Sequence, residues 1–232
     1  MPRSTTDMPR HLIRNFGTCL NSAGAATIAA VTSAPWSTAK TNLSMGAWYK
    51  SPNYKTNRQL IITNGNGSVA GYGLYISGDV TTDGSVYILN HNVAWNTCGF
   101  KVQDNVWHHY FLTIGASNDV TVYVDGVSRY TGTPTLGTPS GLSGFFNDGT
   151  VVTRGKVDDG RYYSSTLTAD QVTNLYYGIE PPVTPTNWYK FDEGSGTSGT
   201  DSGSSPKTLG ASGNTFPSYS SDVFMTSRTA VS

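Results

Sequence analysis

Glutamate is almost missing from this chain: only Glu180 and Glu193 occur in 232 residues, against thirteen aspartates. Glycoside hydrolysis ordinarily sets two carboxylates across the scissile bond. Two glutamates in separate, unrelated contexts do not supply that pair, so the expectation is a protein without enzymatic activity, with aspartates as the only alternative carboxylates. Charge of either sign is scarce. Charged residues make up 13% of the chain, and fifteen basic side chains balance fifteen acidic ones. No basic stripe of the kind nucleic acid requires is visible, and near-zero net charge favours self-association. Cysteine is limited to Cys19 and Cys98. One pair does not make a disulfide framework; the reading is two half-buried thiols, with a single bond between them as the alternative. No long apolar run exists. AGAATIAAVTSA (23–34) is too short to span a membrane, and MPRSTTDMPRHLIRNFG at the start has no apolar core and is broken by Pro2 and Pro9, so no export signal is read there.

What the chain does have is glycine, serine, threonine, asparagine and tyrosine between short alternating runs. NVWHHYFLTIGASNDVTVYVDGV (105–127) gives two strands, Trp107 to Ile114 and Val120 to Val124, joined by a polar turn. Val120, Val122 and Val124 share one face; Thr121 and Tyr123 share the other. Asp125-Gly126 closes a second tight turn. Leu43 to Lys50 alternates in the same way, with Trp48 on the face opposite Tyr49. Tyr72 to Ser77 and Ser85 to Leu89 read as a hairpin, Leu60 to Thr63 as a strand, and Asn64-Gly65-Asn66-Gly67 as a loop. One helix is legible, from Ala169 to Tyr177, with Thr168 and Gln171 as a capping box and Gly178 at its end. Pro181 to Pro185 reads as a linker before a strand at Trp188 to Phe191.

Three of these segments carry a resemblance. Trp-His-His followed by V-x-V-Y-V-D-G, KVDDGRYYSSTLTADQVTNLYYG (156–178) and WYKFDEGSGTSGTDSGSS (188–205) resemble the signatures of laminin-G-like, concanavalin-A-like domains, with TNLSMGAWYK (41–50) as a weaker fourth. The resemblance implies an all-β fold, an antiparallel β-sandwich of jelly-roll type, with one short helix. In that family the W-x-F-D-E-G strand opens the domain, whereas here it follows the helix. Circular permutation or a truncated second repeat would each explain the order, and permutation is favoured because sandwich termini lie close together. The organisation read is an N-terminal arm at 1–11, the domain at 12–205 and a C-terminal tail at 206–232. The laminarinase-type E-x-D-x-x-E pattern of enzymes on this fold is not present.

The fold does not name a ligand, so candidate sites come from residue type. Tyr54, Tyr72, Trp95, Asn96 and Tyr130 are the candidates for sugar binding, since aromatic faces stack on pyranose rings and amides bond their hydroxyls. Asp158 and Asp201, beside Gly- and Ser-rich loops, are candidate ligands for calcium, the one cofactor the resemblance suggests; the alternative is that such aspartates cap turns. His108 and His109 are adjacent and point to opposite faces of a strand, so they do not share a metal; one is assigned to the core edge and one to the surface, and Trp107 to the core. Two functions follow. The first is a virion structural protein, such as a capsid decoration, head fibre or tail component, whose arms contact protein neighbours. The second is a glycan-binding lectin or adhesion module. Both place the protein on a virion surface or outside the cell, without nucleic acid or membrane insertion.

Overall fold

A computed structural model of the chain describes residues 17–23, 29–31, 35–51, 58–66, 70–77, 83–91, 93–146, 153–211 and 215–223. They form two antiparallel sheets. The larger contains β1 (Cys19–Ala23), β3 (Leu43–Lys50), β8 (Trp107–Ile114), β9 (Val120–Val124), β10 (Val127–Gly132), β12 (Arg154–Tyr163), β13 (Asn187–Tyr189) and β15 (Ser218–Ser220). Their order is β10-β9-β8-β3-β12-β1-β15, with β13 also on β12. The smaller contains β2 (Ala29–Val31), β4 (Gln59–Asn66), β5 (Ala70–Ile76), β6 (Ser85–Asn90), β7 (Ala94–Lys101), β11 (Ser143–Phe145) and β14 (Leu209–Gly210), ordered β14-β2-β11-β4-β5-β6-β7.

Alternation puts Leu43, Met45, Ala47 and Tyr49 of β3, and the three valines of β9, into one apolar layer between the sheets. Asp125 (φ 54°) and Gly126 (φ 75°) both adopt the left-handed conformation that the tight β9–β10 turn requires. Gly46 is fixed by a close approach: a Cβ there would lie 2.3 Å from the Tyr110 carbonyl oxygen and 2.2 Å from the Phe111 ring. β8 can therefore pack against β3 only where that side chain is missing.

The strand at Trp188 has a specific place. β12 is long enough to take two partners on one edge. Its first half pairs Leu20 to Ala23 of β1, and Gly160 to Tyr162 pairs Tyr189 to Asn187 of β13. The W-x-F-D-E-G segment thus completes the larger sheet from the C-terminal side. Beyond it, β14 pairs β2 and β15 pairs β1, so Leu209–Gly210 and Ser218–Ser220 form edge strands on the two sheets, and Leu209 and Phe216 enter the core.

Helix α1 (Ala169–Tyr176) lies on the outer face of the larger sheet. Thr168 accepts from the Gln171 amide and Gln171 accepts from the Thr168 amide, as the capping box requires. Val172 and Leu175 pack on Phe111, Tyr123 and Tyr163 in a second apolar layer. That layer covers a side chain which alternation turns away from the main core, and on the smaller sheet one loop reading is corrected. Trp48, assigned to the face away from the core, is 2% exposed and stacks on Tyr176. Asn64 to Asn66, read as loop, belong to β4: Gly65 (φ 100°) faces Gly71 (φ 138°), and the missing side chains let the two backbones close up.

Candidate functional site

The outer face of the smaller sheet carries its own aromatic group. Register places Leu60 opposite Tyr75, Tyr75 opposite Tyr87, and Leu89 opposite Trp95, all pointing away from the main core. Leu60, Tyr75, Tyr87 and Leu89 form a separate buried cluster, with Trp95 packed at its side. Trp95 meets Tyr75 edge-to-face at 5.2 Å and Tyr87 at 5.8 Å. These contacts fix the indole plane, because such edge contacts are orientation-dependent. The Arg58 guanidinium lies over the indole, 5.4 Å from its centroid, within the range of a cation–π contact. Trp95 stays half-buried on β7, the edge strand of the sheet. Behind it the Tyr75 hydroxyl and Thr63 Oγ1 lie 3.4 and 3.2 Å from His91 Nε2. The arrangement presents a half-buried aromatic ring with a guanidinium over it, on a sheet packed from beneath.

The other sugar-binding candidates scatter. Tyr54 lies outside the described residues. Tyr72 is a correction: it is fully buried between the sheets, its hydroxyl donating to the Ala39 carbonyl while accepting from the Asn64 amide, and burial drives its phenol well above the usual range. Its place in β5 alternates with Tyr75, and it is Tyr75 that faces outward. Asn96 neighbours Trp95 but points to the opposite face, where its amide donates to the Ile88 carbonyl at 3.3 Å. Tyr130, on the edge strand β10, is half-buried against the main core; burial, and secondarily Cys98, raises its phenol.

The two metal candidates are turn and core residues. Asp201 Oδ1 accepts from the amides of Trp188 and Gly203, and Oδ2 from the Lys207 amide and the Asn187 side chain. Four donors fill the lone pairs that a cation would need, so the turn-capping alternative describes it. Asp158 is fully buried in β12 and accepts from the Asp159 amide. Among the described residues no group of three or more His, Cys, Asp or Glu side chains is placed to hold a metal. Cys19 and Cys98 are both free and buried, and burial pushes each thiol up to about 12.

The histidines do point to opposite faces, but neither is a surface residue. His109 lies beneath α1 against Trp48 and Phe111, and burial lowers it to about 4. His108 Nδ1 sits 2.7 Å from Asp125 Oδ2, and Asp125 Oδ1 accepts from the His109 amide, so one carboxylate locks the strand pair to its turn. Trp107, assigned to the core, is half-buried on the outer face beside Lys50.

Sequence reasoning missed a polar cluster at β12 and β13. Arg161 is 3% exposed; its Nε donates to Asp159 and its terminal nitrogens to Glu180. Trp188 donates its indole N–H to Asp159 at 2.6 Å and is flanked by Arg161 and Lys190, each 4.3 Å from the ring. The available signal was an arginine and two aspartates crowded into one strand, Asp158, Asp159 and Arg161 of β12.

No helix among the described residues is long and apolar enough to cross a membrane. A comparison with curated protein sequences found no match. Among solved structures, a presumed carbohydrate-binding protein from Bacteroides ovatus is similar over 83% of this chain and 57% of its own, with 17% identity and a TM-score of 0.65. The chain therefore spans little more than half of that protein's length. Domain 4 of an extracellular arabinanase from Geobacillus stearothermophilus, solved with arabinotriose, is similar over 71% of this chain and 75% of its own, with 18% identity and a TM-score of 0.48. Residues 22–173 match the family model, and with two antiparallel sheets in the order described the chain belongs to the concanavalin A-like lectin/glucanases superfamily.

Proposed function

We propose that this protein is a non-catalytic carbohydrate-recognition module acting outside the cell, with its ligand surface on the outer face of the smaller sheet around Trp95. The observation that carries the reading is the Trp95 indole: half-buried, held in T-shaped contacts with Tyr75 and Tyr87, and with the Arg58 guanidinium over one face. Sugar rings stack on such faces through their C–H bonds, while a guanidinium supplies donors to ring hydroxyls. The likeness in fold to a presumed carbohydrate-binding protein supports the same reading.

Part of the support for a role in a virion or other external assembly is the apolar-studded C-terminal tail, read as packing either on its own domain or on a neighbour. Leu209–Gly210 and Ser218–Ser220 pair with the chain's own sheets, which removes the support the tail gave and leaves recognition as the function proposed. Glycan-array binding by the full-length protein, with calcium and then with chelator, tests it. Binding that survives chelator and is lost in Trp95→Ala is the expected result. A dependence on calcium would move the site away from Trp95.

A further inference from the structure

On the opposite sheet two lysines face each other. Lys50 and Lys156 are directly paired across β3 and β12. Like charges in that relation repel, and their side chains are only 20% and 23% exposed. What sits between them is a carboxylate from the C-terminal strap: Asp222 Oδ2 accepts from Lys50 at 3.0 Å and from Lys156 at 2.5 Å. The same row of the sheet continues through Trp107, opposite Lys50, and Asn21, opposite Lys156. Trp107 is half-buried, and its indole N–H is buried without a hydrogen-bond partner. An aromatic ring with a spare donor, two ammonium groups and an amide thus stand in line, and among the described residues Asp222 of the strap is the anion that Lys50 and Lys156 share.

Leu209 and Phe216 anchor the strap in the core, and beyond Phe216 its pairing is short. β15 pairs β1 over three residues and β14 pairs β2 over two. Tyr219 adds bonds to Glu193 and to the Ser198 carbonyl. Short edge strands of this kind open at a lower free energy than the core. Beneath the strap lies Cys19, fully buried, its thiol donating to the Asp222 carbonyl at 3.3 Å. The other charged group facing this point is the buried Asp158 of β12.

We propose that Lys50 and Lys156 form a carboxylate-binding site whose resident occupant is Asp222, and that an external carboxylated saccharide displaces it, stacks beside Trp107 and lifts the strap. The chemistry is exchange of one carboxylate for another between the same two ammonium groups, so no charge is left buried and unpaired. The site is on the sheet opposite Trp95 and does not depend on the function proposed for that residue.

The test uses the full chain in a Cys98→Ser background, so that Cys19 is its only thiol. The rate of Cys19 modification by an aromatic disulfide reagent is followed at one fixed pH, with a trigalacturonate titration and a neutral galactose trimer as control. Asp222→Asn should raise the rate about tenfold or more, the order expected from losing a charge-assisted bond, with circular dichroism and melting temperature unchanged. Trigalacturonate should accelerate the otherwise unsubstituted chain saturably, the neutral trimer should not, and Lys50→Ala/Lys156→Ala should abolish the response. If Asp222→Asn also lowers the melting temperature, the titration decides alone. A rate that trigalacturonate leaves unchanged, or a double lysine variant that still responds, would overturn the proposal.

Discussion

Arg161 grips Glu180 with both terminal nitrogens, at 2.5 and 3.0 Å, while its Nε donates to Asp159 at 3.0 Å. This ties the segment leaving α1 back to β12 and, through the Asp159–Trp188 bond, to β13. Arg161 and Asp159 are nearly fully buried, whereas the Glu180 side chain is 41% exposed. The two carboxylates therefore differ in consequence. Arg161→Met leaves Asp159 as an uncompensated buried charge and should cost about 3–5 kcal/mol. Glu180→Gln, half in water, should cost about 1 kcal/mol or less. Urea unfolding of both variants checks the order.

Gly46 marks the tightest approach of β3 to β8. The Cβ of Gly46→Ala would meet the Tyr110 carbonyl, which is backbone held in register and cannot rotate away. The expected loss is about 3 kcal/mol, at the upper end of overpacking costs. Soluble yield and the denaturation midpoint are the readouts.

The capping box at α1 closes two of the helix's unpaired backbone amides. Thr168→Ala should cost about 1 kcal/mol, read as a lower urea midpoint with an unchanged slope. Glycan binding should not change, since α1 lies on the sheet opposite Trp95.

His109 makes stability depend on acid. Burial lowers its pKa from 6.5 to about 4, with Asp159, Arg161 and Asp125 as the charged neighbours that modulate it. The unfolded chain therefore binds this proton first as pH falls. The contribution is complete above about pH 6.5 and is lost progressively down to about pH 4, an effect on the order of 3 kcal/mol. His109→Gln should flatten that part of the stability profile while leaving stability at neutral pH much closer to that of the unsubstituted chain. Melting temperatures between pH 4 and pH 7 provide the comparison.

Much of the sandwich was legible because it rests on local pattern. The limits of β3, β8 and β9, the Asp125-Gly126 turn and the Thr168 cap all follow from period-two alternation and from turn chemistry. What escaped was set by contacts distant in sequence. Trp48 alternates like an outward residue, and only the arrival of α1, some 120 residues later, buries it. Tyr72 and Tyr75 are both tyrosines of one strand, and which of them faces the second sheet depends on pairing with β4 and β6. Asp222 looked like part of a tail because nothing local announces that Lys50 and Lys156 will lie side by side. Of the candidate site, Trp95 was named by residue type, but its partners Arg58, Tyr75 and Tyr87 were not, since they come from three other places in the chain.

The central claim is that Trp95 is a sugar platform, and calorimetric titration of the best glycan-array ligand into the full-length protein and Trp95→Ala tests it most directly. The account predicts measurable binding by the unsubstituted chain and a loss of about tenfold or more in the variant, with melting temperature and circular dichroism unchanged. Equal affinity in the two proteins would contradict it, as would an array on which no glycan binds.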